Sequence, residues 1–377
     1  MMRRLGCALI VAVLASPALA QAARTDFEDL RPKDMQFPDG LGFQELPISP
    51  VPEELLPQTP AETETPSDAQ TVSSAVFGQK VDAAYGAYQR GYYLTALDLA
   101  LPRAEKGDAP AQTLIAEIYS KGLGVPENLA SAASWYGLAS KNGDPLATFE
   151  LAMAYQDGRG VTKDRKRAAE LFKTAADAGN MMAKYNLGLL HVEGVYAEPS
   201  LTKAAQLIGE AANSGIAEAR YDYAGMLAEG AGVAPDPAGA TEQFRLAAED
   251  GLIPAQVEYA TSLYLGKGVP VDRAAAASWY ARAADAGNPV AQNRYAKLLA
   301  AGEGVTLNLE DAAMYRALSR RQGLKDPQLD KLLASILPEE LARAEERARF
   351  WPSPPPTRVA ANTTPAPVAA PADAPLN

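Results

Sequence analysis

The sequence contains very little cysteine or histidine: Cys7 and His191 are the single examples among 377 residues. A tetrahedral zinc site draws on several cysteine or histidine ligands, so we expect no metal site. Cys7 lies in a segment that we predict to be a cleaved signal, and the remaining chain has no cysteine with which to form a disulfide. The mature protein must therefore be stabilised by packing and hydrogen bonds.

Basic residues are also in the minority, with 35 Lys and Arg against 46 Asp and Glu and a net charge of −11. Proteins that bind nucleic acids need clustered Lys and Arg, so we predict no nucleic-acid partner. A dinucleotide site requires a strand before its glycine-rich loop, and strand signals are lacking. The sequence has no Asp-x-Asp-x-Asp-Gly run for calcium. We therefore expect no cofactor.

The first 22 residues have the pattern of a secretory signal peptide. Arg3 and Arg4 precede an apolar run over residues 5–14, and small residues follow at Ala18-Leu19-Ala20. The run is shorter than the roughly 20 residues that span a bilayer. This pattern predicts cleavage after Ala20 or Ala22, a periplasmic location, and no transmembrane span in the mature chain.

Composition divides the remaining chain into three parts. Residues 23–73 are rich in proline and acidic residues, which is typical of a disordered linker, although the apolar piece from Phe37 to Leu46 offers a docking motif as an alternative. Residues 351–377 form a Pro- and Ala-rich tail that we also predict to be disordered. The folded part is expected to cover residues 74–350.

The central part repeats every 36 residues without a slip. Three series of turn-forming and helix-capping residues carry this period. The first is Gly107, Gly143, Gly179, Gly215, Gly251, Gly287 and Gly323; the second is Gly122, Gly158, Gly194, Gly230, Gly266 and Gly302; the third is Asn128, Asp164, Ser200, Asp236, Asp272 and Asn308.

Each period predicts two helices and no strand. The third series supplies N-caps for a helix of about 14 residues that ends near a glycine of the first series. A second cap such as Asp144-Pro145 then begins a helix of about 12 residues. A bulky pair such as Trp135-Tyr136 recurs beside small residues such as Ala132, which lets stacked helices interdigitate. The fold class is therefore all-α.

The repeated motifs resemble those of Sel-1-like repeats, a family related to tetratricopeptide repeats. The resemblance lies in the loops Gly158-Arg159-Gly160-Val161 and Gly230-Ala231-Gly232-Val233, in steps such as Lys203-Ala204, and in the Trp-Tyr pair. It implies a right-handed α-solenoid of about eight stacked helix pairs in an exported bacterial protein. The stretches 82–106 and 326–349 resemble flanking helix pairs, with Trp351 closing the second.

The resemblance also implies that the first helix of each pair lines a concave surface that binds a protein partner. The positions carried over by phase are apolar or aromatic in the central repeats: Phe149, Met153, Tyr185, Leu189, Tyr221 and Tyr264. The alternative is that these side chains pack between neighbouring first helices. Tyr196 stands where five other loops have glycine, which indicates either loop drift or an exposed anchor for a partner.

No residue pattern points to catalysis. His191 occupies a packing position of the repeat, and Ser200 of the Ser-x-x-Lys sequence is in register with the helix N-caps. We expect a non-catalytic periplasmic adaptor that binds another periplasmic or membrane protein. The alternatives are a regulator that restrains a sensor kinase or polysaccharide export and, more remotely, a hydrolase of β-lactams or cell-wall substrates.

Overall fold

The computed structural model describes residues 82–353, which divide into two compact units at Asp250 and Gly251. The boundary lies in a turn between repeats, so each helix pair stays within one unit. The predicted signal peptide, the linker, the stretch 74–81 and the tail beyond residue 353 lie outside the described residues. Within the described range every regular element is helical.

Unit 1 contains five helix pairs that follow one another along the chain. The most extensive contacts join helices adjacent in sequence, as expected for stacked repeats. The helices are α1 (Ala83–Gln89), α2 (Tyr93–Ala104), α3 (Ala109–Lys121), α4 (Leu129–Lys141), α5 (Pro145–Asp157), α6 (Arg165–Asp177), α7 (Met181–Glu193), α8 (Leu201–Asn213), α9 (Ala217–Glu229) and α10 (Pro237–Glu249).

Unit 2 contains three helix pairs, the last of which differs in length and contacts. A short 3₁₀ helix, Leu333–Ser335, separates the two helices of this last pair. The helices are α11 (Ile253–Leu265), α12 (Arg273–Asp285), α13 (Pro289–Ala301), α14 (Leu309–Arg321), α15 (Pro327–Leu332) and α16 (Pro338–Phe350). The sixteen described helices confirm the prediction of eight pairs.

The helix ends lie where the three residue series predict them. Each of the six residues of the capping series accepts a hydrogen bond from the backbone N–H three residues on, which satisfies one of the unpaired donors of the first turn. The glycines of the second series end α3, α5, α7, α9, α11 and α13 with φ between 63° and 77°. This left-handed conformation costs glycine little and other residues more.

The bulky pair is divided between core and surface in α4, α8 and α12, whereas both members of the pair in α6, Leu171 and Phe172, are buried. Tyr136, Phe172 and Ile208 have exposed fractions of 4% or less and pack beside buried alanines such as Ala132 and Ala168. The tryptophans that precede Tyr136 and Tyr280 are only half-buried. In α4, α8 and α12 the core position belongs to the second residue of the pair, and Trp135 and Trp279 pack against the core from a half-buried position.

In three of the loops, the second glycine lies against the backbone of the preceding repeat. A Cβ atom on Gly160 would lie 2.0 Å from the Leu129 carbonyl oxygen at the start of α4. The same contact would be 2.1 Å between Gly232 and Leu201, and 2.2 Å between Gly304 and Arg273. These glycines are required by the close approach of two backbones as well as by their positive φ.

The last helix pair closes unit 2 through ion pairs and one aromatic side chain. Arg343 and Arg347 of α16 both pair with Glu310 of α14. The Trp351 ring packs on the unit 2 core, and its Cη2 lies 3.5 Å from where a Cβ on Gly287 would be. This arrangement confirms the predicted charged cap that ends at Trp351.

We expect Gly160→Ala to destabilise unit 1 far more than Gly179→Ala. Both glycines have positive φ, 71° and 91°, but the Gly179 Cβ position has open space around it. The control should therefore lose only the conformational term, roughly 1–2 kcal/mol, whereas Gly160→Ala must also displace backbone. Denaturant unfolding of the two variants measures the difference, and equal losses would contradict the proposed backbone contact.

Candidate functional site

Phe149 on α5 belongs to the core of unit 1. Its exposed fraction is 7%, and its ring centroid lies 5.9 Å from that of Phe172 on α6. A side chain buried to this degree cannot reach a partner. The structure therefore places Phe149 in the core between the first helix α5 and the second helix α6, whereas the alternative from sequence was packing between neighbouring first helices.

Tyr185 and Tyr221 are half-buried and bind within unit 1. The Tyr185 hydroxyl donates to Asp222 Oδ2 at 2.7 Å, and Asp222 is only 3% exposed. The Tyr221 ring meets Phe244 edge-on at 5.5 Å. These contacts join α7 to α9 and α9 to α10. Each tyrosine therefore has a structural role, although part of its side chain remains exposed.

Met153 on α5 and Leu189 on α7 are also half-buried. Met153 packs against the cluster of buried side chains around α4 to α6, and Leu189 packs against the cluster around α8 and α9. Leu187 and Leu190 of α7 face the first of these clusters. The apolar side chains of α7 are thus shared between two cores, and none of them is fully enclosed by either.

α7 is the least buried of the first helices described in unit 1. Only Ala183 and Gly188 are buried in α7, whereas α3 and α5 bury longer side chains such as Ile115 and Leu151. Met181 and Met182 at its start are 36% and 41% exposed. An apolar helix that remains this open within the matched repeats is a candidate for a binding surface in unit 1.

Tyr264 lies in unit 2 and takes part in a polar cluster. Its hydroxyl donates to Glu303 Oε2 at 2.7 Å, and the Arg273 guanidinium lies 5.7 Å from the ring centroid. The hydrogen bond to Glu303 and burial raise the pKa of Tyr264. Tyr264 therefore holds the loop that follows α13. It lies in unit 2, whereas the other predicted partner-binding positions lie in unit 1.

Tyr196 is 40% exposed and is held by a cation on the preceding repeat. The Arg165 guanidinium lies 5.1 Å from the ring centroid and pairs with Glu193 at 3.1 Å. The loop differs from the five others because Val195 makes no N–H bond to the Leu190 carbonyl, although Ser200 still donates to the His191 carbonyl at 3.0 Å. The loop is altered and its tyrosine is partly exposed. A role of Tyr196 as an anchor for a partner stays a prediction.

His191 and Ser200 have structural partners. His191 Nδ1 lies 2.7 Å from the Glu198 carbonyl oxygen, which can only accept, so this nitrogen donates. The Ser200 hydroxyl accepts from the Lys203 N–H at 3.3 Å and caps α8. Both residues therefore hold the α7–α8 loop and the helix after it, as their positions in the repeat predict.

The sequence pattern did not reveal a carboxylate cluster near the start of unit 1. Glu117 accepts from the Tyr136 hydroxyl at 3.1 Å and the Tyr88 hydroxyl at 3.4 Å, and Lys121 pairs with it. Burial, together with the charge of Glu117, raises the pKa values of Tyr136 and Glu150. The nearest signal in the sequence is Glu117 itself, an acidic residue at a first-helix position that is apolar in the next two repeats.

The described residues contain no group of three or more His, Cys, Asp or Glu side chains placed to hold a metal ion. Within the same range, 82–353, no helix combines the length and the apolar character that crossing a bilayer requires.

Family models identify the repeats whose geometry is described above. The Sel1 repeat model matches six consecutive stretches, which together cover more than half of the chain. The chain belongs to the Sel1 repeat family. The matched repeats are residues 109–144, 145–180, 182–216, 217–252, 253–288 and 289–323. The first and last helix pairs, α1–α2 and α15–α16, flank these Sel1 repeats.

Solved structures from three bacteria are similar to this chain, and the first of them, with a TM-score above 0.5, supports the helical-repeat fold. A Sel1 repeat protein from Oxalobacter formigenes is 27% identical with a TM-score of 0.56, over 64% of this chain and 97% of that chain. The protective antigen c5321 of uropathogenic Escherichia coli, with an SLR fold, is 26% identical with a TM-score of 0.45, over 67% of each chain. The immunity protein Pa5087 of Pseudomonas aeruginosa is 20% identical with a TM-score of 0.35, over 66% of this chain and 89% of that chain. No curated protein matches this chain.

We expect Phe149→Ala to lower the free energy of unfolding by roughly 3–5 kcal/mol, because it leaves a cavity beside Phe172. Met182→Ala is the matched control on the next first helix, and at 41% exposure it should change stability by less than about 0.5 kcal/mol. Denaturant unfolding distinguishes the two. A small loss for Phe149→Ala would return this residue to the candidate binding surface.

Asp326 should make unit 2 sensitive to acid. Burial acts to raise the pKa of Asp326, but hydrogen bonds from Lys297, Asn293 and the Leu329 N–H outweigh it and lower the pKa from 3.8 to about 2. A lowered carboxyl pKa stabilises the fold above the usual pKa, and this contribution is lost as the pH falls from about 4 to about 2. Asp326→Asn should therefore reduce stability near pH 7, and the difference from the parent chain should shrink as the pH falls from about 4 to about 2. A difference that stays constant over this range would contradict this assignment.

Proposed function

We propose that this Sel1 repeat protein is a periplasmic scaffold that binds another protein of the cell envelope and carries no catalytic centre. Stacked helix pairs are a common scaffold for protein–protein interaction, because each pair adds exposed surface next to that of its neighbour. The binding surface lies in unit 1 on α7 and the adjoining part of α5, with Met181, Met182, Leu189 and Met153 as its apolar contacts.

The half-open α7 carries this proposal. Its repeat position is the one that α3 and α5 fill with buried side chains, yet its own leucines and methionines remain partly accessible to solvent. Exposed apolar side chains at the centre of a unit cost solubility unless a partner covers them. Methionine suits such a surface, since its flexible thioether adapts to different partner shapes.

The polar groups of α7 and its loop support a scaffold instead of an enzyme. Tyr185, His191 and Ser200 each donate or accept a hydrogen bond that holds a helix or loop in place. Nucleophilic catalysis needs a base within hydrogen-bond reach of a nucleophile, whereas the Ser200 hydroxyl is used by the backbone of α8. The periplasmic location is supported by the sequence of residues 1–22.

The binding surface is tested by replacing Met181 and Met182 with Ser in the full-length protein. A photo-crosslinker at position 189 should capture an envelope protein in cells that produce the parent chain, and the double variant should lower this capture at least tenfold. Leu99→Ser on α2 is the matched control, because Leu99 is 42% exposed and lies on a second helix. Capture that survives the Met substitutions, or is lost equally in the control, would overturn the assigned surface.

The location is tested separately by fractionating cells and measuring the mass of the purified chain. Cleavage after Ala20 or Ala22 and recovery with periplasmic markers are the expected results. A charged substitution in the apolar run, Val11→Arg, should retain the uncleaved chain in the cytoplasm because it interrupts the segment that the export machinery recognises. An intact N-terminus in the parent protein would contradict the periplasmic proposal.

A further inference from the structure

A basic cluster occurs in unit 1 of this acidic chain. It covers the loop between α5 and α6 and the first turn of α6, where the only acidic residue is the N-cap Asp164. The five basic residues are Arg159, Lys163, Arg165, Lys166 and Arg167. No corresponding stretch of the other five matched repeats carries more than two Lys or Arg residues.

The fold does not require these charges. Cations in the first turn of a helix oppose its dipole, and the equivalent first turns of α4 and α10 contain no charged residue. The three arginines Arg159, Arg165 and Arg167 pair with Asp157, Glu193 and Glu170, respectively. Lys163 and Lys166 are exposed and make no ion pair with the described part of the chain. Two ammonium groups therefore remain available to an anionic partner.

An apolar surface adjoins the basic cluster. Arg165 connects the two, because its guanidinium lies over the Tyr196 ring at 5.1 Å. Tyr196 and its neighbour Val195 are 40% and 63% exposed, in the loop that lacks the second glycine of the repeat. A ligand for this surface needs carboxylates beside apolar side chains. We call the basic cluster with Val195 and Tyr196 the α6 surface.

Residues 45–68 of the same chain have this composition. They contain six acidic residues and no Lys or Arg, and the acidic pair Glu53-Glu54 is followed directly by Leu55-Leu56. We propose that this segment docks in cis on the α6 surface, with its carboxylates on Lys163 and Lys166 and its leucines against Val195 and Tyr196. This contact is separate from the proposed partner surface on α7 and does not depend on it.

The chain is long enough for this contact. Glu54 lies 28 residues before Asp82, where the described structure begins, and 28 residues span at most about 90 Å. Five steps between neighbouring helices separate α1 from α6, which amounts to at most about 50 Å at 8–10 Å per step. The length of one helix adds about 20 Å. The segment therefore reaches the α6 surface with chain to spare.

Covalent attachment makes a weak contact sufficient. A tethered segment is presented to its site at an effective concentration of the order of millimolar, so a few exposed ion pairs and one apolar contact can hold it. A free acidic peptide of the same composition would be diluted well below that level. The α6 surface is thus complementary in charge to residues 45–68, and the chain is long enough to bring the two together.

The test places a photo-crosslinking phenylalanine at position 196 in the full-length protein. Crosslinks should map to residues 45–68, with a yield that is independent of protein concentration. Lys163→Glu with Lys166→Glu should lower the yield about five-fold, since two attractions become repulsions. Lys325→Glu with Lys331→Glu, at two exposed lysines of unit 2, is the control and should leave the yield unchanged.

Charge reversal on the docking segment provides a second test, which does not depend on how the Lys163 and Lys166 variant folds. Glu53→Lys with Glu54→Lys should lower the yield in the parent chain and restore it in the Lys163 and Lys166 variant. Raising the salt from 0.1 M to 1 M should also lower the yield, because the screening length falls from about 10 Å to about 3 Å. Crosslinks spread over other residues, a yield that rises with protein concentration, or no response to charge reversal would each overturn the proposal.

Discussion

The close approach of two backbones at the inter-helix loop is the contact on which the stacking of repeats depends. The loop between α5 and α6 lies against the first turn of α4, the second helix of the preceding repeat. A Cβ on Gly160 in this loop would lie 2.0 Å from the Leu129 carbonyl oxygen. The same contact recurs at Gly232 and Gly304, and an insertion in either partner would break it. The constraint favours an uninterrupted 36-residue period.

The α7–α8 loop shows what happens where this constraint is not met. Tyr196 replaces the glycine, one backbone hydrogen bond of the loop is missing, and Arg165 supports the tyrosine ring instead. In the same repeat, the side chains of α7 are divided between two cores and remain partly open. Among the six matched repeats, the one that departs from the family pattern exposes the most large apolar side chains: Met182, Val195 and Tyr196. Both proposed contacts lie beside it.

The helix boundaries could be predicted because they depend on local chemistry. Asp164 and Ser200 cap helices through bonds to backbone three residues away, and Gly158 ends a helix through its own φ. The candidate site could be predicted only in part. The position of Phe149 and Leu189 in the repeat places both residues on first helices. It does not give the distance to the next helix, and that distance explains why Phe149 is buried and Leu189 is only half-buried.

Sequence alone determined the repeat length, the all-helical class, the capping residues and the family, since each follows from residues a few positions apart or from a period that recurs in phase. Tertiary structure decided which residues of the bulky pairs are buried, that Glu117 accepts hydrogen bonds from two tyrosines, and that Asp326 is held by Lys297 and Asn293. These contacts join residues about 20 to 35 positions apart. They depend on how closely neighbouring helices pack, which is a property of the assembled unit and of no single helix.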